Sequence, residues 1–283
     1  NLIMFVFHQG VLWMIIATIF FALMGTFVKL GGENFTPTEL VFYRSSISLV
    51  FIILIMRWNK VSYSSSYIKL HLARSSIGFI SLLFFFYAIS HLPLSTAISL
   101  NYTSPLFLGL LMPLILKRKV KKWLFLAVTI GFLGVFFILK PTFENQNYFA
   151  GLIGLISGLG AAMAYLFVTQ LGQLKEPVLR TIFYFTLLST ICSGFIMVFS
   201  EINNIQFKHA LILLGLGVSA TIAQIAITKA YHVGNTLGNA GLSYLTIIFA
   251  TIIGVVYFDE FIDSESALGI LLIIISGVFA SKK

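Results

Sequence analysis

The acidic residues of this 283-residue chain are few, and they stand almost wholly in alternate gaps between long apolar runs. Eight of the nine, Glu33, Glu39, Glu144, Glu201, Asp259, Glu260, Asp263 and Glu265, follow that rule, and the intervening gaps hold most of the Lys and Arg. A chain stitched back and forth through a bilayer carries this alternation, because positive charge is retained on the cytoplasmic side. Charged residues make up only 10% of the chain, against about 25% in a soluble domain. Too few polar groups are present to cover a soluble fold, and runs of about 20 apolar residues, enough for a hydrocarbon core, recur throughout.

Ten runs of spanning length can be read: 10–31, 38–57, 70–90, 93–116, 123–140, 149–172, 179–200, 209–231, 234–257 and 265–281. Pro37, Pro93 and Pro177 stand before or at run starts, where a missing N–H costs little. Pro141 follows the fifth run. The run Lys117-Arg118-Lys119-Val120-Lys121-Lys122 cannot lie in lipid and separates the fourth span from the fifth. The first run is long enough to span, and no cleaved leader is expected from it. With the N-terminus inside, fourteen cations fall on inner segments, from Arg57 and Lys60 to Lys282 and Lys283. Three, Lys29, Lys140 and Lys208, fall outside. The expected fold class is therefore an all-α integral membrane protein of ten helices, N-in and C-in.

The chain also repeats itself. Residues 20–30 resemble 160–170, and a shift of 142 aligns Ala88 with Ala230, Leu100 with Leu242 and Tyr102 with Tyr244. Gly134-Val135 is echoed by Gly277-Val278. Units of five spans, 1–144 and 145–283, would enter the membrane from opposite sides. Such inverted repeats allow two related conformations around one central site.

Polar residues inside the spans mark where that site could lie. The fourth run holds Asn101 and Tyr102 near mid-membrane, and Pro105 leaves the Asn101 carbonyl without its helical donor. Two readings fit: a binding position, or a kink with interhelical polar glue. In the ninth run Asn239, Ser243 and Thr246 are spaced to share one helix face, beside Tyr244, Asn235 and three glycines. The eighth run carries a stripe of Gly217, Thr221, Gln224 and Thr228, suited to lining a pathway or binding a neighbouring helix. The small-residue face of the sixth run, Gly154, Ser157, Gly158, Ala161 and Ala162, reads first as packing, with Tyr165 as a possible gate. Arg44, inside the second span, is a functional candidate by its depth; it could recognise an anion, or be locked by Glu39. Lys29, Arg74 and Lys229 are near enough to run ends to snorkel, and His91 and His232 read as interfacial.

No Asp or Glu falls at the centre of any span, so a carboxylate proton relay is not expected there. A neutral, zwitterionic or anionic solute fits better than a strongly cationic one. Catalytic and metal-binding signatures are lacking, and the single Cys192 excludes an internal disulfide. The net charge of +9 suits loops facing anionic headgroups rather than nucleic acid. Expected partners are membrane lipids and a small solute. The expected assembly is a monomer or weak dimer without cofactor, proton or counter-solute coupling being left open.

Several stretches resemble the EamA-type members of the drug/metabolite transporter superfamily. They are Thr38-Glu39-Leu40-Val41-Phe42-Tyr43-Arg44-Ser45, Leu92-Pro93-Leu94-Ser95-Thr96-Ala97, and Asn101-Tyr102-Thr103-Ser104-Pro105-Leu106-Phe107. Gly131-Phe132-Leu133-Gly134-Val135 and, near the end, Asp259-Glu260 with Gly269 and Gly277-Val278 complete the set. The resemblance implies two inverted five-helix units, alternating access, and a cavity lined by helices one, three, four, six, eight and nine. It implies transport of amino acids, other metabolites, nucleotide-linked compounds or drugs, often outward. Two departures stand out: Lys117-Arg118-Lys119 where many members have an acid, and Met24-Gly25 where a Trp-Gly pair is common. The joint expectation is a multi-pass protein of a bacterial inner membrane that exports amino acids or related metabolites. Arg44, Asn101, Tyr102, Tyr165, Gln224, Asn239, Ser243 and Tyr244 would contact the solute; uptake or exchange of an anionic or nucleotide-like metabolite is the alternative.

Overall fold

A computed structural model describes residues 2–116, 122–139, 148–200, 202–233, 239 and 241–281. The described residues form α1 (Leu2–Gly31), α2 (Pro37–Trp58), α3 (Ile68–His91), α4 (Leu94–Asn101), α5 (Ser104–Leu116), α6 (Lys122–Leu139), α7 (Tyr148–Gln173), α8 (Val178–Val198), α9 (Phe207–Val233), α10 (Leu245–Tyr257) and α11 (Ser264–Ser281). Six stretches are long and apolar enough to cross a membrane: Gly10–Gly31, Pro37–Trp58, Ile68–His91, Tyr148–Gln173, Val178–Val198 and Phe207–His232. Leu245–Tyr257 and Ser264–Ser276 are apolar but shorter. Lys117-Arg118-Lys119, Lys121, Lys140, Pro141, Glu144, Glu201, Gly234, Asn235, Gly238 and the terminal lysines lie outside the described residues.

Local chemistry sets the helix ends. Thr36 caps α2: its hydroxyl accepts from the Glu39 N–H, and the Glu39 carboxylate accepts from the Thr36 N–H at 2.7 Å. Pro37 follows in the first turn, where its fixed φ suits a helix. Pro93 and Pro177 occupy the cap positions of α4 and α8. Lys60 and Lys175, with φ of 53° and 57°, close α2 and α7 in the left-handed conformation more usual for glycine.

The described ion pairs are gathered at two ends of the bundle. At one end Lys29 meets Glu260 at 2.8 Å and also donates to the Leu92 carbonyl. Glu260 in turn accepts from the Leu94 N–H. Glu39 accepts from both the backbone and side-chain nitrogens of Asn203. At the other end Glu176 holds Arg180 at 2.9 Å and accepts from Ser65, with the His71 imidazole 3.5 Å away. Between these ends the outward surface is apolar; Leu54, Ile80, Ile156, Ile191 and Leu211 are all exposed. Trp58, Phe207 and Phe261 stand out at helix ends with 89%, 84% and 89% of their surface exposed, as aromatic anchors at a membrane interface do.

The inner packing pairs α1 with α9, α3 with α7, α2 with α8 and α6 with α11, while α4 packs against α7 and α10. Glycines set the closest approaches. A side chain at Gly217 would run into Ile47 of α2, and one at Gly215 would meet Phe27 of α1.

Two of the expected spans are not single helices. The fourth run breaks at Tyr102–Thr103 into α4 and α5. Pro105 is the cause in part, because it has no N–H to donate to the Asn101 carbonyl and is tolerated in a helix's first turn. It therefore starts a new helix rather than kinking an old one. The ninth run breaks at Ser243–Tyr244, ahead of α10. In both breaks hydrogen bonding tightens to three-residue spacing: Thr103 N–H to the Leu100 carbonyl at 3.2 Å, and Thr246 N–H to the Ser243 carbonyl at 3.0 Å. The Ser243 N–H still donates to the Asn239 carbonyl at 3.2 Å, so the expected face runs from Asn239 to Ser243 and is interrupted before Thr246.

Glu39 thus joins the start of α2 to the segment before α9. Glu39→Ala removes the reciprocal cap and both bonds to Asn203, and should destabilise the purified protein by about 1–3 kcal/mol. Thermal unfolding in detergent measures it; an unchanged midpoint would show that this buried carboxylate holds nothing.

Candidate functional site

Asn101 is the last residue of α4, halfway through the fourth run. Its amide donates to the Ser157 hydroxyl of α7 at 2.9 Å, and Ser157 passes the bond to the Gly154 carbonyl at 2.6 Å. Ser81 of α3 donates to the Ser157 carbonyl at 2.8 Å. Three helices are therefore tied together by short polar side chains beside the α4–α5 break. Gly158 is what lets the broken backbone come so close. A Cβ there would lie 2.6 Å from the Thr103 hydroxyl and 2.9 Å from each of the Leu100 and Asn101 carbonyls. The small-residue face of α7 is a seat for the break at Gly154 and Gly158, and one turn further on it opens.

Beyond the seat lies a cavity of about 60 Å³, room for a few water molecules. Its polar wall is built by Arg44 of α2, Arg74 of α3, Asn101, Tyr102, Tyr165 of α7 and Gln224 of α9. Phe21, Phe85 and Phe185 supply much of the apolar wall. Asn101 and Tyr102 stand at the α4–α5 break, and the other polar residues lie within the lengths of their helices. Arg44 is the eighth residue of α2, about 10 Å along the axis at 1.5 Å per residue.

Five of the residues expected from the sequence therefore meet at one cavity: Arg44, Asn101, Tyr102, Tyr165 and Gln224. Asn239, Ser243 and Tyr244 do not line it. The Asn239 amide donates to the Ala230 carbonyl at 2.6 Å, closing the last turn of α9. Tyr244 packs in the main apolar core with Tyr102 and Ile247. The polar stripe of α9 divides between both of its expected roles. Thr221 binds Ser48 of α2 at 2.8 Å, while Gln224 turns to the cavity and accepts from Arg44 at 3.2 Å.

Arg44 is not locked by Glu39. Five residues along a helix rotate a side chain about 140° at 3.6 residues per turn, so the two leave α2 on different faces. Glu39 is taken by Thr36 and Asn203. Lys229 does not reach the cavity; its ammonium lies 4.0 Å from the centre of the Trp13 ring. Lys29 is bound in its ion pair rather than solvated. His91 stacks on Tyr87 at the exposed end of α3.

Arg74 departs furthest from expectation. A snorkelling arginine would bend towards the start of α3. Instead its guanidinium runs deeper, past Gly78, where an added Cβ would touch Nη1 at 2.8 Å. It stacks on Phe185 with Cζ 3.8 Å from the ring centre, and Arg44 approaches the same ring at 5.1 Å. Only 3% of Arg74 is exposed. The signal available in the sequence was Gly78, four residues on and on the same face, which clears a path for a long side chain.

Among known proteins, residues 8–140 match the EamA-like transporter family. The chain is 30% identical over 277 residues to an uncharacterized transporter of Helicobacter pylori (strain J99 / ATCC 700824), covering 95% of this chain and 93% of that one. It is 27% identical over 274 residues to the pseudopaline exporter CntI of Pseudomonas aeruginosa (strain UCBPP-PA14), covering 97% and 96%. To the S-adenosylmethionine uptake transporter of Rickettsia prowazekii (strain Madrid E) it is 22% identical, covering 96% and 92%. A crystal structure 16% identical in sequence superposes with a TM-score of 0.74 over 97% of this chain and 96% of the other, so the two share a fold.

Gly158→Ala tests the seat. Two of the three close neighbours of the new methyl group are backbone carbonyls, which cannot rotate away, so the break or α7 must shift. Overpacking of this kind costs about 1–3 kcal/mol. The variant should melt lower than the wild type, whereas an unchanged melting midpoint would mean that the break does not press on α7.

Proposed function

The chain belongs to the EamA-like transporter family of the drug/metabolite transporter superfamily, and from that premise we propose that it is an alternating-access secondary carrier that exports amino acids or related metabolites through the central cavity. It is a multi-pass membrane transporter of small molecules, not an enzyme. The observation that carries the finer reading is the cavity itself, with polar side chains from α2, α3, α4, α7 and α9 converging on one buried space.

Ten spans, with both termini inside, are supported by where the loop charges go. Lys29, Glu39, Asn203 and Glu260 fall at one end, and Ser65, His71, Glu176 and Arg180 at the other. The second end carries the basic segments around Arg57, Lys60, Lys69 and Lys175, which supports a cytoplasmic side there. An inverted repeat of units 1–144 and 145–283 is supported by the packing. Under the repeat, α1 answers to α7 and α3 to α9, so the α1–α9 contact is the counterpart of α3–α7. The α2–α8 and α6–α11 contacts are then their own counterparts. The two broken runs, at Tyr102–Thr103 and Ser243–Tyr244, are a further matched pair. Discontinuous helices at repeat-related positions are a recurring way to build a carrier's site.

In this reading Arg44, Asn101, Tyr102, Tyr165 and Gln224 contact the solute. Asn239, Ser243 and Tyr244 support the second broken run. Export is favoured over uptake because the exporter among the relatives is the more similar, at 27% against 22%. The absence of acids from span centres disfavours a carboxylate proton relay and leaves exchange against a counter-solute as the simpler coupling. The bacterial relatives support an inner-membrane location.

Asn101→Ala and Gln224→Ala should each reduce solute flux in reconstituted vesicles at least about tenfold, with membrane levels unchanged, as expected when a hydrogen bond to a charged solute is lost. Undiminished flux in both would remove this site assignment. For orientation, a cysteine at Asn203 should react with an impermeant maleimide in intact cells and one at Lys60 should not; the reverse pattern would invert the topology.

A further inference from the structure

The cavity holds two positive charges and no negative one. Arg44 and Arg74 both line it, at 1% and 3% exposure. Each retains N–H groups, at Nε and Nη1, that no protein group accepts. Every acid that pairs with a base among the described residues does so at the bundle ends, with Lys29, His71 or Arg180. Phe185 is shared by both guanidiniums, but a ring quadrupole offsets only part of one buried charge. A chain that leaves two such groups unneutralised at mid-membrane depth incurs a large desolvation penalty. Structural locking does not explain it, since Arg44 makes one neutral bond, to Gln224, and the described contact of Arg74 is the Phe185 ring.

The geometry points to an organic dianion as the solute, its two oxyanions held by Arg44 and Arg74. This rests on the carrier reading above and narrows its solute from amino acids and related metabolites to those of them that carry two negative charges. A zwitterionic amino acid would leave both charges standing, and a monoanion one of them. The guanidinium fork matches carboxylate and phosphate oxygens alike, while Tyr165, on the same wall, is placed for the solute's neutral groups. Two separate guanidiniums with unused donors suit two separated carboxylates more closely than one compact phosphate. Gly78 has a specific part: it leaves the space through which the Arg74 guanidinium reaches Phe185.

The test is thermal stabilisation of the purified full chain, since a ligand that binds the folded state raises its melting point. The probes are succinate, glutarate and glycerol 3-phosphate, each against its uncharged counterpart (succinamide, glutaramide, glycerol), at constant ionic strength. At least one dianion should stabilise the wild type while its uncharged counterpart does not; the carboxylate and phosphate arms distinguish the two sources of oxyanion. Arg44→Gln and Arg74→Gln should each raise the apparent Kd about tenfold or more. Arg74→Gln should not lower the ligand-free melting point, because it removes an uncompensated charge. Gly78→Ala keeps the arginine and raises helix propensity, and should weaken dianion binding several-fold by displacing the guanidinium.

No stabilisation by any dianion, or a shift that survives both Arg→Gln changes, overturns the inference. So does a sharp fall in ligand-free stability in Arg74→Gln, which would make the arginine structural. Flux in vesicles separates the two levels. A neutral amino acid carried by the wild type and by both arginine variants, but not by Asn101→Ala, sinks the dianion and keeps the carrier. Dianion binding without flux of any bound solute sinks the carrier and keeps the clamp.

Discussion

Hydrocarbon offers a broken backbone nothing to bond to, so a helix interrupted at mid-membrane depth survives only where protein covers the break. The α4–α5 junction meets that condition through Gly158, Ser157 and Gly154 on α7. The absent side chain at Gly158 lets the Leu100 and Asn101 carbonyls approach. Ser157 meanwhile receives the Asn101 amide and offers its own carbonyl to Ser81. The cavity is a consequence of this arrangement. Once α7 has seated the break, Ala161, Ala164 and Tyr165 on the next turn face a space that the interrupted helix no longer fills. A continuous fourth helix would not turn Asn101 and Tyr102 together into that space.

Charge follows the same economy of position. Three described acids, two with basic partners and Glu39 with neutral ones, are engaged at the bundle ends, where their neighbours are loops and helix starts. Glu260 joins Lys29 to the start of α4, Glu39 joins α2 to the segment before α9, and Glu176 joins the α2–α3 loop to the α7–α8 turn. These contacts hold elements of both expected halves together away from the middle. The middle is left with cations only, so any solute that enters it meets a positive field focused by low-dielectric walls.

Much of this was legible in the residues. The apolar runs and their proline starts announced α2, α4 and α8, because a capping residue and a fixed φ act within a few positions. Arg44, Asn101, Tyr102, Tyr165 and Gln224 were recognisable because a polar group deep in an apolar run has to face protein or water. What escaped depends on direction rather than type. Arg74, six residues from the start of α3, is close enough to an end that bending back is the cheaper default; its deeper path is set by Gly78 and by Phe185 on a helix a hundred residues away. The break at Ser243–Tyr244 has no proline to mark it. The spacing of Asn239, Ser243 and Thr246 therefore looked like a face of one helix, and the role of Asn239 in closing α9 could not be read from spacing. Lys229 and Lys29 were likewise assigned by depth, which does not reveal a Trp13 ring or a Glu260 carboxylate nearby.

An unneutralised pair of arginines is costly in a resting protein and useful in a carrier. A space of about 60 Å³ holds a few waters, so under the proposed carrier reading the helices around it would part before an organic solute entered. Among the described residues the two guanidiniums are offset by Phe185, which both approach, and by Gln224, which accepts from Arg44. Their mutual repulsion would raise the energy of a closed, solute-free state relative to forms in which water reaches the charges. A solute that neutralises both removes the penalty and lets the cavity close around it. The electrostatics would thereby make closure conditional on cargo, which is the requirement for exchange without leak. The differential would be carried by the same groups that are proposed to bind the solute, so affinity and conformational change would draw on one interaction. In a membrane core without acids, the arginines can supply this coupling without a proton.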